Sequence, residues 1–135
     1  MNKKSILIFP LLILLFVSLV HAQEMPPEAA KAYNEGNQYL KSGNYDEAVK
    51  KYNEALKTSK DYRIYYQLGV TLKKQNKLAE AEAAFKSSIE SNPNFDIAYN
   101  GLGGTYFQEG KYQEAIESFK KLEQLTTQKT MKEQA

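Results

Sequence analysis

Beyond about residue 28, apolar residues recur three and four positions apart, the spacing that gathers side chains on one face of an α-helix. Tyr99, Leu102, Gly103 and Tyr106 form one such set, and Leu78, Ala81 and Phe85 another. The sets come in pairs. Each pair is interrupted at a short polar point, Gly43-Asn44, Asn76-Lys77 or Gly110-Lys111, residues that suit a tight turn ending a helix. The pattern predicts an all-α chain of helix–turn–helix units.

The units are copies of one another. GNYDEAVKKY (Gly43 to Tyr52) returns as NKLAEAEAAF (Asn76 to Phe85) and as GKYQEAIESF (Gly110 to Phe119), at steps of 33 and then 34 residues. Around these turns the first unit reads Ala32, Gly36, Tyr39, then Ala48, Tyr52, Ala55. The second reads Tyr65, Leu68, Gly69, Leu72, then Ala81, Phe85, Ser88, Pro93, and the third Tyr99, Leu102, Gly103, Tyr106, then Ala115, Phe119, Leu122. Gly36, Gly69 and Gly103 are expected where the first helix of a unit (A) meets the second (B). A side chain there would hold the backbones apart, and close approach must offset the roughly 1 kcal/mol that a helical Gly loses against Ala. Tyr39, Tyr45, Tyr52, Tyr65, Tyr99, Tyr106 and Tyr112 fall on repeated packing positions.

These residues resemble the tetratricopeptide repeat pattern, W-x2-L-G-x2-Y, A-x3-F and P with a 34-residue period. Units two and three follow it closely, with Tyr in place of Trp, and the resemblance extends over roughly residues 28 to 129. It implies a right-handed α-α superhelix, a solenoid of three helix pairs at residues 29–61, 62–95 and 96–129, with a lead-in at 23–28 and a tail at 130–135. Unit one departs from the pattern at Ala32, Glu35 and Lys60, as terminal repeats do, because one flank faces water. Pro27 suits the first position of the opening helix.

The resemblance also implies a site. In this family certain A-helix positions line the concave groove; here they hold Tyr33, Asn37, Leu40 and Lys41, then Arg63, Tyr66, Val70, Lys73 and Lys74, then Ile97, Asn100, Gly104, Phe107 and Gln108. Amides for a backbone and rings for side chains suit an extended peptide. One subset of the family binds acidic chaperone tails through a clamp of Lys, Asn, Asn, Lys and Arg. The matching positions here are Tyr33, Asn37, Gln67, Ile97 and Gly101, of which only Asn37 agrees, so that mode is not expected. Within Gly101–Gly104, Gly103 is explained by the repeat. Gly101 and Gly104 leave two readings: they lower the groove floor near Tyr66 and Asn100, or they are simply tolerated in a weak helix.

The first residues have the layout of a secretory leader. Lys3 and Lys4 precede an uncharged, mostly apolar run from Ser5 to Val20, and Val20-His21-Ala22 offers a cleavage site before Gln23. A retained anchor is the competing reading, but the run is shorter than the roughly 17–20 residues that cross a bilayer, and Pro10 and Ser18 weaken it. Export to the periplasm or cell exterior of a bacterium is the expectation. Of the 18 basic residues two leave with the leader while all 16 acidic ones stay, so the remainder has zero formal charge. With Arg63 its one arginine, it offers no phosphate-tracking surface, and neither nucleic acid nor membrane is an expected partner.

The chain has no Cys and one His, His21, inside the leader. Nucleophile–base pairs and zinc sites therefore lack their residues, and packing must hold the domain without disulfides. Carboxylate pairs such as Asp46 with Glu47 and Glu80 with Glu82 fall near B-helix starts, where the helix dipole favours negative charge. The reading is a non-enzyme without cofactor or metal, a scaffold that binds a protein or peptide in its groove. The alternative is an assembly subunit of an envelope complex that associates through its end faces. The third B helix, expected from Lys111 to about Gln124, should pack Ile116 and Phe119, with only Thr126–Ala135 left to cover it. Three outcomes follow: a bare end, self-association through the C-terminal face, or a chain that is a piece of a longer protein.

Overall fold

The computed structural model describes residues 24–134; the leader read at residues 1–22 lies outside them. Six helices follow in order: α1 Pro27–Lys41, α2 Tyr45–Ala55, α3 Tyr62–Lys74, α4 Leu78–Ser91, α5 Asp96–Gln108 and α6 Tyr112–Glu133. No strand occurs among the described residues. The A helices are α1, α3 and α5 and the B helices α2, α4 and α6. Each A packs on its own B, and each B packs on the A that follows. Pro27 opens α1, as expected.

The three A–B corners are the same device. Gly43, Asn76 and Gly110 take φ of 79°, 59° and 77°, the left-handed conformation that ends a helix at least cost in Gly or Asn. The next residue then closes a backbone bond to the last turn: Asn44 N–H to Tyr39 O, Lys77 to Leu72 and Lys111 to Tyr106, each 2.9 Å. Above the corners, a Cβ placed on Gly36, Gly69 or Gly103 would stand 2.7, 2.9 or 2.7 Å from the ring of Tyr52, Phe85 or Phe119. The glycines are the seats of the B-helix aromatics.

Packing between units explains a further glycine. A Cβ on Gly101 would lie 2.5 Å from Phe85, so Phe85 of α4 is clamped between Gly69 of its own unit and Gly101 of the next. Gly101 is a packing residue, and the groove-floor reading fails for it. Polar links brace the same junctions: Gln75 Nε2 donates to Asp46 Oδ1 at 2.6 Å, and Lys111 Nζ to Glu82 Oε2 at 2.7 Å. The buried hydroxyls of Thr71 and Thr105 donate to the carbonyls four residues back, at 2.8 Å each.

Two expectations need correction, both at the last unit. Of the tyrosines assigned to packing, Tyr52 and Tyr106 are buried and Tyr39, Tyr45, Tyr65 and Tyr99 half-buried, but Tyr112 is exposed. Among the described residues no A helix follows α6 to cover it. The third B helix also does not stop near Gln124 but continues to Glu133. Where unit two turns at Asn92-Pro93-Asn94-Phe95, with Asn92 Oδ1 accepting the Asn94 N–H at 3.1 Å, unit three has Thr126-Thr127-Gln128-Lys129, which contains no helix breaker. Ile116 and Phe119 stay partly bare. No helix among the described residues is long and apolar enough to cross a membrane.

Candidate functional site: the concave face

Successive A helices touch, α1 with α3 and α3 with α5, whereas among the described residues no two B helices do. The A helices therefore form the inner, concave side, and the site is a strip across three parallel helices. Its chemistry depends on what already holds each side chain.

On α1, Tyr33 is half-buried with its ring 6.1 Å from that of Tyr52. Asn37, also half-buried, accepts the Tyr52 hydroxyl at 2.7 Å on its carbonyl oxygen. The asparagine is thereby oriented, and its NH2 remains a donor for a ligand. Burial raises the Tyr52 pKa far above the ordinary range. Tyr52 was not among the candidate groove residues. The signal was there: Tyr52 stands where units two and three have Phe85 and Phe119, and its added hydroxyl finds Asn37.

On α3, Tyr66 stands edge-on to Phe95, in the turn that leads into α5, at 5.4 Å and lies 5.8 Å from Phe85, while Tyr62 meets Phe95 at 4.6 Å. Burial raises the Tyr66 hydroxyl pKa. Phe95 lies in an inter-unit turn where the repeat pattern gives no signal. Arg63 differs from expectation as a groove cation. Its Nε and Nη2 fork onto Asp61 at 2.8 and 2.6 Å, and its backbone N–H caps the helix on the same carboxylate at 2.8 Å. Burial opposes the Asp61 charge, but the bonds from Arg63 hold the carboxyl below its usual value. Arg63 brings its own counter-ion and offers a ligand little net charge.

The available cations lie at the other end of the A helices. Lys41, Lys73 and Lys74 make no ion pair among the described residues. Lys73 is half-buried, and its Nζ sits 2.8 Å from where a Cβ on Gly104 would be. The space above Gly104 thus holds the Lys73 ammonium, reaching from α3 over α5. Leu40, Gln67 and Val70 are half-buried; Lys41, Lys74, Ile97, Asn100, Phe107 and Gln108 are exposed. Phe107 meets Tyr112 edge-on at 5.5 Å. No Asp or Glu stands at any of these groove positions. A cleft of about 890 Å³ lies elsewhere, by the α2–α3 turn, where Asp61 and Arg63 in its wall are already paired with each other.

A tetratricopeptide repeat family model matches residues 66–129 and a second TPR repeat model residues 36–76, together spanning residues 36–129. The chain belongs to the tetratricopeptide repeat family. It is 30% identical over 95 residues to the Hsp70-Hsp90 organizing protein of Triticum aestivum, covering 70% of this chain and 16% of that protein. It is 32% identical over 91 residues to the small glutamine-rich tetratricopeptide repeat-containing protein 2 of Saccharomyces cerevisiae, covering 65% of this chain and 26% of that one. The chain thus spans about a sixth to a quarter of these relatives. Among solved structures, the TPR2B-domain:pHsp70 complex of yeast Sti1 superposes with a TM-score of 0.74 at 28% identity, covering 76% of this chain and 83% of that one. As a tetratricopeptide repeat array the chain is a non-catalytic protein-interaction module.

Proposed function

We propose that the concave face binds an extended segment of a partner protein. The observation that carries this is Asn37, fixed by the Tyr52 hydroxyl at 2.7 Å so that an amide donor is preset on the groove wall, where a peptide carbonyl needs one. Tyr33 and Tyr66 add rings beside it, Val70, Ile97 and Phe107 an apolar floor, and Lys41, Lys73 and Lys74 a cationic end. The likeness to a domain solved in complex with pHsp70 supports a peptide ligand. The clamp positions, holding Tyr33, Gln67, Ile97 and Gly101 beside Asn37, favour a recognition mode other than the clamp. Peptides selected from a random library on the wild-type protein should lose binding to N37A and weaken on Y52F, which keeps the packing and deletes the hydroxyl. Equal binding to N37A and Y66A would remove the groove reading.

The partner is exported along with this chain in our reading, on the strength of Lys3-Lys4, the apolar run and Val20-His21-Ala22. N-terminal sequencing of the protein recovered from a bacterial envelope fraction tests this: a start at Gln23 agrees, and a start at Met1 in the cytoplasmic fraction does not. A second reading, assembly through the end faces, is favoured by the partly bare Ile116 and Phe119 of α6.

A further inference from the structure

Inside the array, the outer face of each B helix is covered by the next A helix. Tyr52 and Phe85, at matching positions of α2 and α4, are 0% and 1% exposed; Phe119, their counterpart in α6, is 38% exposed, with Ile116 at 47% and Tyr112 at 61% beside it. Phe119 is seated on Gly103 as Phe85 is on Gly69, so only the covering helix is missing. The described chain does not supply one. Instead α6 runs straight on, and residues 126–133, all exposed, extend it by about 12 Å.

A second copy offers two surfaces to this face. The first is its α1. Residues buried in α3 (Ile64, Leu68, Thr71) and in α5 (Ala98, Leu102, Thr105), the A helices that pack on a preceding B helix, are matched in α1 by Lys31, Glu35 and Gln38, and Glu35 is bonded to Lys51 at 2.6 Å. Laying these on Phe119 would strip water from charged groups without recompense, so head-to-tail stacking is mismatched. The second surface is α6 itself. Tyr112, Ile116, Phe119, Lys120, Glu123 and Thr127 recur at three- and four-residue steps along one strip, and neither Lys120 nor Glu123 makes an ion pair among the described residues. In antiparallel α6 on α6, one register sets Lys120 against Glu123 of the second copy in both directions. The same register lays Thr127 and the exposed Met131 of each extension over Ile116 and Tyr112 of the other.

We infer that α6 is a two-fold, antiparallel contact between two copies of this chain, in which each helical extension covers the face that the other copy leaves bare. This builds on the end-face reading and specifies it. The contact closes at two, because an isologous interface uses itself up. A 22-residue helix is about 33 Å long, which puts the contact at the small end of specific interfaces and makes the dimer reversible.

Sedimentation equilibrium of the full chain over a wide concentration range is the test. Wild type should pass from monomer to dimer and no further. I116E, at a site exposed enough to spare the fold, should stay monomeric. K120E and E123K should each weaken dimerisation about tenfold, and the double swap K120E/E123K should restore it. A wild-type monomer at every concentration would end both the end-face reading and this contact. Assembly beyond the dimer that responds to K31A/E35A would keep the end-face reading and overturn the α6 pairing. Variants that all associate alike would place association elsewhere, the apolar N-terminal run included, and overturn it too.

Discussion

Two glycines three residues apart in α5 should respond to the same substitution with opposite signs. Replacing Gly by Ala in mid-helix stabilises by about 1 kcal/mol when nothing else changes. At Gly101 the new Cβ would stand 2.5 Å from Phe85, whose ring is fully buried and flush with Gly69 on its other side, where a Cβ would be 2.9 Å away. The ring has nowhere to retreat, and overpacking of this kind costs about 1–3 kcal/mol. The net for G101A is a loss of about 1 kcal/mol. At Gly104 the one atom of the described residues within reach, beyond its chain neighbours and its own helix backbone, is the Lys73 Nζ, at 2.8 Å, the end of a flexible chain that can swing aside. G104A should therefore gain up to about 1 kcal/mol. For a domain of this size that is a drop of about 4 °C in Tm for G101A and a rise of up to about 4 °C for G104A, read by circular dichroism on heating and checked by urea unfolding. Shortening the ring should relieve the clash, so G101A should cost less in an F85L background than alone. A G101A protein as stable as wild type would refute the clamp, and with it the assignment of Gly101 to packing.

Y52F should lower stability by about 1 kcal/mol, the worth of a hydrogen bond whose partner stays half-exposed, in a urea titration; no loss would mean that the phenol does not hold Asn37. G110A should cost about 1 kcal/mol in the same assay although, apart from its chain neighbours, no described residue lies within 4 Å of where its Cβ would be, because its φ is +77°; a neutral result would contradict the left-handed corner. Glu82, bonded to Lys111 and Lys86, has its carboxyl held down from 4.5 to about 2. A folded pKa below the unfolded one contributes stability that is complete above about pH 4.5 and lost as pH falls toward 2. Wild type should thus lose more stability than E82Q between pH 4.5 and 2 in acid titrations followed by circular dichroism, and identical slopes would dismiss a stabilising role for the bonds of Glu82 to Lys111 and Lys86.

What could be read in the chain itself was whatever depends on neighbours within one unit. The three corners, the glycine seats of Tyr52, Phe85 and Phe119, and the alternation of A and B helices repeat every 33 or 34 residues because each is a contact inside a single helix hairpin. The concave positions were also legible as positions, since three copies of one hairpin stacked in order must share an inner face. Their chemistry was not. Arg63 stood among the groove positions as a cation until its fork onto Asp61 was seen, and the contact of Tyr66 with Phe95 joins an A helix to an inter-unit turn that the repeat leaves unspecified.

The remaining discrepancies lie between units or at the last one. Gly101 seats a ring from the preceding repeat, and Lys73 fills the space above a glycine of the next, so neither role shows in a pattern aligned one unit at a time. Tyr112, Ile116 and Phe119 occupy packing positions by sequence and stay partly bare because burial is a property of the neighbour, and after α6 there is none among the described residues. Periodic spacing by itself determined the helices, their corners and their order, since these rest on local backbone preference and on which residues share a helix face. Which side chains are spent on one another and which are left to meet a partner was decided only in the assembled array, where groups from separate repeats come within bonding distance.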